Sequence, residues 1–352
     1  MSSPLLPVGL IPGAMPGKPV RPVELPRDET LQDHMVEWWY FISFLQGPQA
    51  TDRFAIEMTA ARLSLSPLRA VETVYLAVID LQAAEYLSAD RQSLSAYQSE
   101  ARLSMRFEPS FGQPGDWLID GWTVPKLSYK LSGAFAVRAP EGSALRQRGI
   151  ALTMTDAALY QPLRHGPKLD GIVDFFGLPM GYYSRTRLDV AGALKLDARH
   201  VAVTGTGWMD HEWGTADLPG SRWTFVAIQL DSGEDLCAYR VDRRDTGAQG
   251  PTHGYSINAA GGPQYATHVT IVPTGVVWPE YGYPLEYDVT LTFGALAPRS
   301  LRVSAAFKEQ RRVPSGEAAL PYVTLWEGAA TVTDPFTNKP IGRAFLEMGG
   351  YE

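Results

Sequence analysis

The stretch "FVAIQLDSGEDLCAYRV", residues 225–241, contains two apolar–polar alternating runs joined by a polar loop with a glycine. Alternation with a period of two places every second side chain on the same face of a β-strand. A short polar connection that contains glycine is typical of a hairpin between two such strands. The stretch therefore predicts an antiparallel hairpin with its turn in the segment "DSGED".

The same alternation recurs along most of the chain. The 33 glycines and 27 prolines lie mainly between the alternating runs, as an all-β protein with many tight turns requires. About a dozen or more strands exceed one small barrel, so we expect two β-barrels or sandwiches. One stretch, residues 89–104, is the only one that suggests a helix.

The expected organisation has three parts. Residues 1–30 are interrupted by prolines and predict an extended arm on the surface or across a domain. The boundary between the two β units is expected in "DFFGLPMGYYSRTRL", residues 174–188, which is rich in glycine and aromatic residues and lacks clean alternation. The units are therefore predicted at residues 31–188 and 189–352.

Composition excludes several classes of function. The formal net charge of −7 argues against a nucleic-acid partner, since phosphate binding favours a basic face. No apolar run approaches the roughly 20 residues that cross a bilayer, and the first residues lack the basic start of a signal peptide. The single cysteine, Cys237, excludes an internal disulfide framework and a cysteine-rich metal site. We expect a cytoplasmic protein.

A first cluster of aromatic and titratable residues is "HMVEWWYF", residues 34–41. In a strand, Trp38 and Tyr40 would face one way, and Glu37 and Trp39 the other. A carboxylate among apolar groups is costly to ionise and needs a donor, or it stays protonated. Glu37 is therefore either a catalytic carboxyl group or a structural one that bonds an arginine or a backbone amide.

A second cluster is "GTGWMDHEWG", residues 205–214. In a strand, Asp210 would share a face with Trp208, and His211 would share the other with Trp213. The adjacent Asp-His-Glu triplet lacks the spacing of zinc motifs, and the chain offers no nucleophile elbow, so neither metal nor serine-hydrolase chemistry is favoured. Acid–base chemistry beside dry indole walls remains, against the alternative of a satisfied polar corner.

Other titratable residues are weaker candidates. The segment "YYSRTRL", residues 182–188, offers tyrosines and arginines that could satisfy buried acids or orient a substrate. Glu327 stands next to Trp326. The isolated histidines are expected at the surface: His165, His200, His253 and His268.

Several of these motifs together resemble a known family. "VEWWYF", "GTGWMDHEWG", "SRWTFVAIQLDSGEDLCAYRV" and "LWEGAATV…GRAFLEMGGYE", in this order over residues 34–352, resemble the AttH-like lipocalin family. That family includes proteins similar to carotenoid 1,2-hydratase and kievitone hydratase, and it is similar to the lipocalin-like fungal Diels–Alderases. The resemblance implies an all-β fold with two lipocalin-like barrels in tandem.

The resemblance also implies chemistry. Trp208, Asp210 and His211 fill the W-x-D-H positions of the carotenoid hydratases, whereas Glu212-Trp213-Gly214 departs from them, which puts a carotenoid substrate in doubt. The expected activity is a cofactor-free hydration of a C=C bond, or its cyclisation after protonation, in a hydrophobic polyene, prenylated or polyketide-like small molecule. The alternatives are a pericyclase and a non-catalytic carrier of lipophilic ligands.

The expected site has named residues. Protonation of an alkene needs a strong acid, little water and aromatic faces that tolerate a cation. Asp210 is the expected acid, His211 its orienting or proton-receiving neighbour, and Glu37 a further catalytic group. Both clusters are expected to share one cavity or the interface between the barrels. No metal and no cofactor is expected, and the sequence leaves the oligomeric state open. The expected substrate-binding residues are Trp38, Trp39, Tyr40, Trp208, Trp213, Tyr183 and Trp326.

Overall fold

The structure, a computed structural model, is almost entirely β. It describes residues 19–32, 34–66, 69–95, 103–108, 115–122, 126–138, 144–156, 160–216, 218–312 and 325–351. Within these residues lie one 3₁₀ turn, Arg27–Glu29, and 24 strands. No helix in the described part of the chain has the length and apolar character that a membrane crossing requires. The all-β prediction is confirmed.

The first sheet has the strand order β4-β3-β2-β1-β12-β11-β8-β7-β6-β5, with β9 and β10 also paired to β11. Its edge strands β4 and β5 lie close to each other, so the sheet curls around its own core. The strands are β1 (Val36–Gln46), β2 (Arg53–Ser66), β3 (Arg69–Asp80), β4 (Glu85–Ser95), β5 (Ser104–Phe107), β6 (Trp117–Trp122), β7 (Ser128–Arg138), β8 (Leu145–Asp156), β9 (Leu163–Arg164), β10 (Ile172–Phe175), β11 (Leu178–Leu196) and β12 (Arg199–Gly214).

The second sheet has the order β16-β15-β14-β13-β24-β23-β21-β20-β17, with β22 also paired to β23, while β18 and β19 form a separate hairpin. The strands are β13 (Ser221–Leu230), β14 (Asp235–Arg243), β15 (Thr252–Asn258), β16 (Gly261–Tyr265), β17 (His268–Pro273), β18 (Val277–Trp278), β19 (Tyr283–Pro284), β20 (Glu286–Thr292), β21 (Arg299–Ala305), β22 (Arg311–Arg312), β23 (Leu325–Thr333) and β24 (Pro340–Gly349).

Alternation explains the hairpin that the sequence predicts at residues 225–241. β13 pairs antiparallel with β14, Ala227 lies opposite Cys237, and the connection falls in the polar segment, so this prediction is confirmed. The helix suggested at residues 89–104 is wrong for its described part. Residues 89–95 belong to β4, which pairs with β3 along its whole length, and residues 96–102 lie outside the described residues.

The boundary between the sheets differs from the expected one. β11 and β12 both belong to the first sheet, so the division expected after residue 188 falls inside β11, and the second sheet begins at Ser221. Clean alternation is missing because residues 180–186 are buried on both faces of the sheet. Glycine is required at Gly181, where a Cβ would lie 2.2 Å from Cε2 of the Trp213 indole.

Residues 19–32 lie across the first sheet, and the carboxylate of one residue, Glu29, is buried in the interior of this sheet. Oε2 of Glu29 accepts hydrogen bonds from the hydroxyls of Tyr129 (2.9 Å) and Tyr183 (2.7 Å). Arg185 forms an ion pair with Glu29 and with Asp156. Arg185 thus satisfies buried acids. Residues 1–18 of the expected arm lie outside the described residues.

Buried apolar side chains form three clusters. One fills the interior of the first sheet around Trp39, Trp117 and Trp213. Another fills the second sheet around Trp326 and its neighbours. The third lies where the two sheets meet, and includes Trp208. Because a β-strand shows alternate side chains to opposite faces, β1 and β12 contribute to the first and the third cluster at the same time.

Candidate active site

The two aromatic clusters of the sequence meet in the structure. β1 and β12 are antiparallel neighbours, with Tyr40 opposite Asp210 and Trp39 opposite His211. About 170 residues of chain separate these partners, so the proximity comes from the sheet topology. The expected alternation is also observed, because neighbouring residues on each strand point to opposite faces. The two motifs therefore form two separate polar groups, one on each face of the sheet.

The inner face carries a closed pair of titratable groups. Nε2 of His211 lies 2.8 Å from Oε1 of Glu37, and Nδ1 donates to the backbone carbonyl of Asp28 at 3.1 Å. The backbone N–H of Gln32 donates to Glu37 at 2.8 Å. The imidazole stacks on Trp39 with ring centroids 4.4 Å apart. His211 and Glu37 are 0% and 1% exposed, so the protein itself satisfies this pair.

The orienting role expected for His211 is wrong in this geometry. His211 and Asp210 are consecutive residues of β12, and their side chains point to opposite faces of the sheet. Burial lowers the pKa of His211 to about 3, so the imidazole is neutral at neutral pH. Glu37 accepts a hydrogen bond from a backbone amide, which agrees with the structural alternative stated for this residue in the sequence analysis.

The outer face opens into a cavity of about 250 Å³ between the two sheets. Asp210 and Glu212 on β12 line it from the first sheet, and Glu327 on β23 and Glu347 on β24 line it from the second. We call this cavity, with these four carboxyl groups, the acid pocket. Its aromatic lining residues are Trp38, Tyr40, Phe175, Phe176, Tyr182, Trp223, Phe225 and Tyr239.

All four carboxyl groups bind protons more tightly than usual. Burial raises the pKa of Asp210 to about 7 and the pKa of Glu347 to about 8. Burial also raises the pKa of Glu212 and of Glu327 well above the usual range, and the neighbouring carboxylates add to both effects. At neutral pH the pocket therefore holds carboxylic acids that can donate a proton or a hydrogen bond.

A fifth buried carboxyl group, on β2 of the first sheet, contacts the acid pocket through Glu327. Glu57 on β2 is hydrogen bonded to Glu327, and its Oε1 accepts a hydrogen bond from Thr59 at 3.0 Å. Burial raises the pKa of Glu57 to about 7. Two carboxyl groups in hydrogen-bond contact share one proton, since both cannot ionise at close range. The guanidinium of Arg312, which lies over the Tyr75 ring at 3.9 Å, offsets part of the negative charge.

Asp210 is linked to a buried histidine on its own side of the sheet. Its Oδ1 accepts hydrogen bonds from Ser184 Oγ and from Trp208 Nε1, the latter at 2.6 Å. Ser184 Oγ lies 2.7 Å from Nε2 of His165, whose Nδ1 lies 3.3 Å from the hydroxyl of Tyr239. With Ser184 donating to Asp210, the Nε2–H tautomer of His165 completes a chain between two residues that line the acid pocket.

His165 and His253 were expected at the surface, and this is wrong. His165 is 0% exposed, and burial lowers its pKa well below the usual range. Its ring stacks on Tyr182 with centroids 3.5 Å apart. His253 is 3% exposed, and burial lowers its pKa to about 4. His200 and His268 are exposed, as expected.

The sequence interpretation missed Glu57 and Glu347. Each is a single acid directly between two apolar residues of a strand, in "RFAIEMTAARL" and "GRAFLEM". A charge at such a position is costly unless it is paired or protonated. That pattern is the sequence signal that could have identified them.

The expected substrate-binding residues divide between pocket and core. Trp38 and Tyr40 line the acid pocket, and Trp208 holds Asp210 from the side. The others lie in the two sheet cores and do not line the pocket: Trp39, Trp213 and Tyr183 in the first, and Trp326 in the second. Among the described residues, no three His, Cys, Asp or Glu side chains are grouped so that they could hold a metal ion.

Residues 16–351 match the family model described as AttH-like. The chain belongs to the AttH-like family. Solved structures similar to this AttH-like protein cover almost its whole length. One, assigned to AttH and from Nitrosomonas europaea, has 21% identity and a TM-score of 0.72, with 97% of this chain and 99% of that chain covered.

Two further similar structures are more distant in sequence. Kievitone hydratase from Nectria haematococca has 15% identity and a TM-score of 0.57, with 99% of this chain and 96% of that chain covered. CghA in complex with Sch210972 has 11% identity and a TM-score of 0.55, with coverage of 96% and 94%. At these identities the likeness establishes the shared fold. No curated protein matches the sequence.

Proposed function

We propose that this AttH-like protein is a cofactor-free enzyme that hydrates a C=C bond of a hydrophobic polyene or prenylated small molecule in the acid pocket. The observation that carries the proposal is the set of four carboxyl groups with raised pKa values inside an aromatic cavity. A carrier or a purely shape-directed cyclase gains nothing from groups that are so costly to bury. An acid that adds a proton to an alkene needs this environment.

The proposed reaction begins at Asp210. The alkene π electrons take the proton of the Asp210 carboxyl group and form a C–H bond, which leaves a cation on the more substituted carbon. A water oxygen then forms a C–O bond with that carbon, and the water proton returns to the Asp210 carboxylate. The net change is the addition of one water molecule, with no oxidant, reductant or other reactant consumed. Asp210 therefore serves as acid and then as base.

The surroundings of Asp210 support both halves of this cycle. Burial keeps the proton on the acid, and the donors Ser184 and Trp208 stabilise the carboxylate once the proton has left. The cation is formed among aromatic faces, including Trp38 and Trp223, and opposite further carboxyl groups. Both features favour a positive charge at this place.

Kievitone hydratase, whose name states a hydration, has the same fold over nearly the whole chain, which supports the reaction class. In this proposal Glu37 and His211 are not reacting groups, and they fix the strand that carries Asp210. A cytoplasmic location is also part of the proposal, supported by the single, buried and unpaired Cys237.

The test uses the full chain, a panel of prenylated phenols and linear polyenes, and water labelled with ¹⁸O. We expect a product that carries one solvent oxygen. Asp210→Asn keeps the shape and removes the transferable proton, so turnover should fall by about 10²–10⁴ while the circular dichroism spectrum is unchanged. Asp189→Asn, an exposed position on the neighbouring strand β11, is the matched control and should keep full turnover.

Three outcomes contradict the proposal. Full turnover by folded Asp210→Asn eliminates Asp210 as the acid. A product without solvent oxygen replaces hydration by cyclisation. Tight binding across the panel with no conversion of any member indicates a carrier.

A further inference from the structure

Tyr40 places an unused hydrogen-bond donor in the acid pocket. The side chain lines the cavity and is 3% exposed, and its hydroxyl has no hydrogen-bond partner among the described residues. The ring is held in edge contact with Phe225 (6.4 Å between centroids) and Phe345 (6.2 Å). Because strand and ring contacts fix this side chain, the hydroxyl cannot turn away to find a partner elsewhere.

An unsatisfied buried hydroxyl is unfavourable, so this position calls for a partner that enters the pocket. Leaving such a group without a hydrogen bond costs about 1–3 kcal/mol, and a ligand oxygen that accepts from it recovers part of this cost. Burial raises the pKa of Tyr40 well above its usual range, and four nearby carboxyl groups act in the same direction. The phenol therefore stays protonated and acts as a donor.

Carboxyl groups outnumber cationic groups in the acid pocket, where Arg243 and Arg312 also form part of the lining, and this disfavours an anion. The carboxyl groups that raise the pKa of Tyr40 are those of Glu57, Glu347, Glu327 and Asp210. A carboxylate or phosphate bound at the Tyr40 hydroxyl would be repelled by each of these carboxyl groups that is ionised. A hydroxyl or carbonyl oxygen accepts the same hydrogen bond without that repulsion.

We propose that the acid pocket takes a substrate with a neutral hydroxyl or carbonyl oxygen, and that the Tyr40 hydroxyl donates a hydrogen bond to this oxygen. The inference rests on the proposed function for the identity of the site, and it narrows the substrate class to polyenes or prenylated compounds that carry a neutral oxygen. Tyr40 lies directly opposite Asp210 on the neighbouring strand. A hydrogen bond at this oxygen would therefore place the adjacent part of the substrate next to Asp210, the proposed acid.

Binding of three matched probes tests this inference without turnover. Farnesol, farnesene and farnesoic acid have the same apolar skeleton and differ in a hydroxyl, no oxygen and a carboxylate. Affinity is measured at pH 8 from the quenching of tryptophan fluorescence, since Trp38 and Trp223 line the pocket. We expect wild-type protein to bind farnesol about tenfold more tightly than farnesene, the size of one hydrogen bond, and more tightly than farnesoic acid.

Tyr40→Phe should remove the preference for farnesol and leave the affinity for farnesene within about twofold of wild type. The control is Tyr287→Phe, which removes a buried hydroxyl that donates to Sδ of Met348 in the second core and should keep the preference. The inference is overturned if wild type does not bind farnesol, if it does not prefer farnesol to either other probe, or if Tyr40→Phe keeps the preference. A failed ¹⁸O experiment with an intact binding preference rejects hydration alone.

Discussion

The two faces of β12 carry the same kinds of residue in different environments: a packed core on the inner face and a cavity on the outer face. On the inner face, His211 has a partner at each ring nitrogen and lies against Trp39 in a filled core. On the outer face, Asp210 and Glu212 line a cavity, and facing acids come from another sheet. The strand thus separates a polar pair that the protein satisfies from polar groups left open to a ligand.

This difference is the reason why the proposed function uses the acids of the outer face. Buried polar groups with complete sets of partners add to stability and specify the fold. Buried acids kept protonated around a cavity reduce stability, and a chain retains them where chemistry requires them. The sequence motif contains both kinds side by side, so residue type alone does not distinguish them. The direction of the side chain does.

The largest effect is expected from His211→Phe, which tests whether the inner face is structural. The substitution keeps an aromatic ring against Trp39 and leaves the buried Glu37 carboxyl group without its imidazole partner. It also removes the hydrogen bond to the backbone carbonyl of Asp28, and each buried group left without a partner costs about 1–3 kcal/mol, so the free energy of unfolding should fall by about 2–6 kcal/mol in urea denaturation.

Glu212→Gln on the outer face is the comparison variant for His211→Phe. It replaces a buried acid by a neutral amide of the same shape, and the free energy of unfolding should change by less than about 1 kcal/mol. If His211→Phe unfolds like wild type while Glu212→Gln is strongly destabilised, the assignment of the two faces is reversed.

A smaller effect concerns the pH dependence of stability. Glu347 has a folded-state pKa of about 8, above its ordinary 4.5, so between these values the folded state keeps a proton that the unfolded state releases. Its contribution is fully present below pH 4.5 and is lost as the pH rises to 8. A tenfold difference in proton affinity between the folded and unfolded states corresponds to about 1.4 kcal/mol, and the exposure of the carboxyl group to the cavity reduces this contribution.

The corresponding variant is Glu347→Gln. The free energy of unfolding is measured in urea at pH 5 and at pH 8. From pH 5 to pH 8 it should decrease by about 2 kcal/mol less in the variant than in wild type. Glu309→Gln, an exposed position, should keep the wild-type loss. An unchanged pH dependence in Glu347→Gln would show that this carboxyl group ionises normally, and the acid pocket would lose one of its acids.

The smallest effect concerns the chain from Asp210 to His165. The Ser184 hydroxyl lowers the pKa of Asp210 by donating to its carboxylate. Ser184→Ala removes this donor, so the pKa of Asp210 should rise by about 1. In the proposed reaction the acid form of Asp210 is the active one, so the rate falls as the pH rises past the pKa. The descending limb of kcat/KM should therefore move to higher pH by the same amount.

The control for this change is Ser43→Ala, which removes a buried hydroxyl from β1 that takes no part in the chain to Asp210. Its pH profile should match that of wild type. If Ser184→Ala lowers kcat/KM equally at every pH and does not shift the descending limb, Ser184 contributes to packing only.

Much of this arrangement follows from the sequence because strands alternate. The hairpin at residues 225–241 and the split of Asp210 from His211 both come from the period of two. The resemblance of the motifs to the AttH-like family adds the tandem architecture. The cavity is lined by Trp38, Tyr40 and Asp210. Glu37 and His211 do not line it, because neighbouring residues of a sheet can lie on opposite faces.

The remaining features depend on contacts between distant segments. Glu347 and Glu57 reach the Asp210 region through the packing of two sheets, which no local pattern encodes. His165 sits beside a two-residue strand, and its burial follows from the rings of the surrounding tyrosines. The expected division at residue 188 falls inside β11 for a related reason. A strand buried on both faces loses the alternation that would identify it.

Each sheet pairs its first strand with its last, β1 with β12 and β13 with β24, and this has a consequence for synthesis on the ribosome. The first sheet can close once residue 214 has left the exit tunnel. The wall that bears Glu347 forms only when β24, which follows all the other described strands in the chain, inserts between β13 and β23. Until then Asp210 and Glu212 lack the facing wall that carries Glu347. We therefore expect a chain truncated before β24 to lack the closed acid pocket.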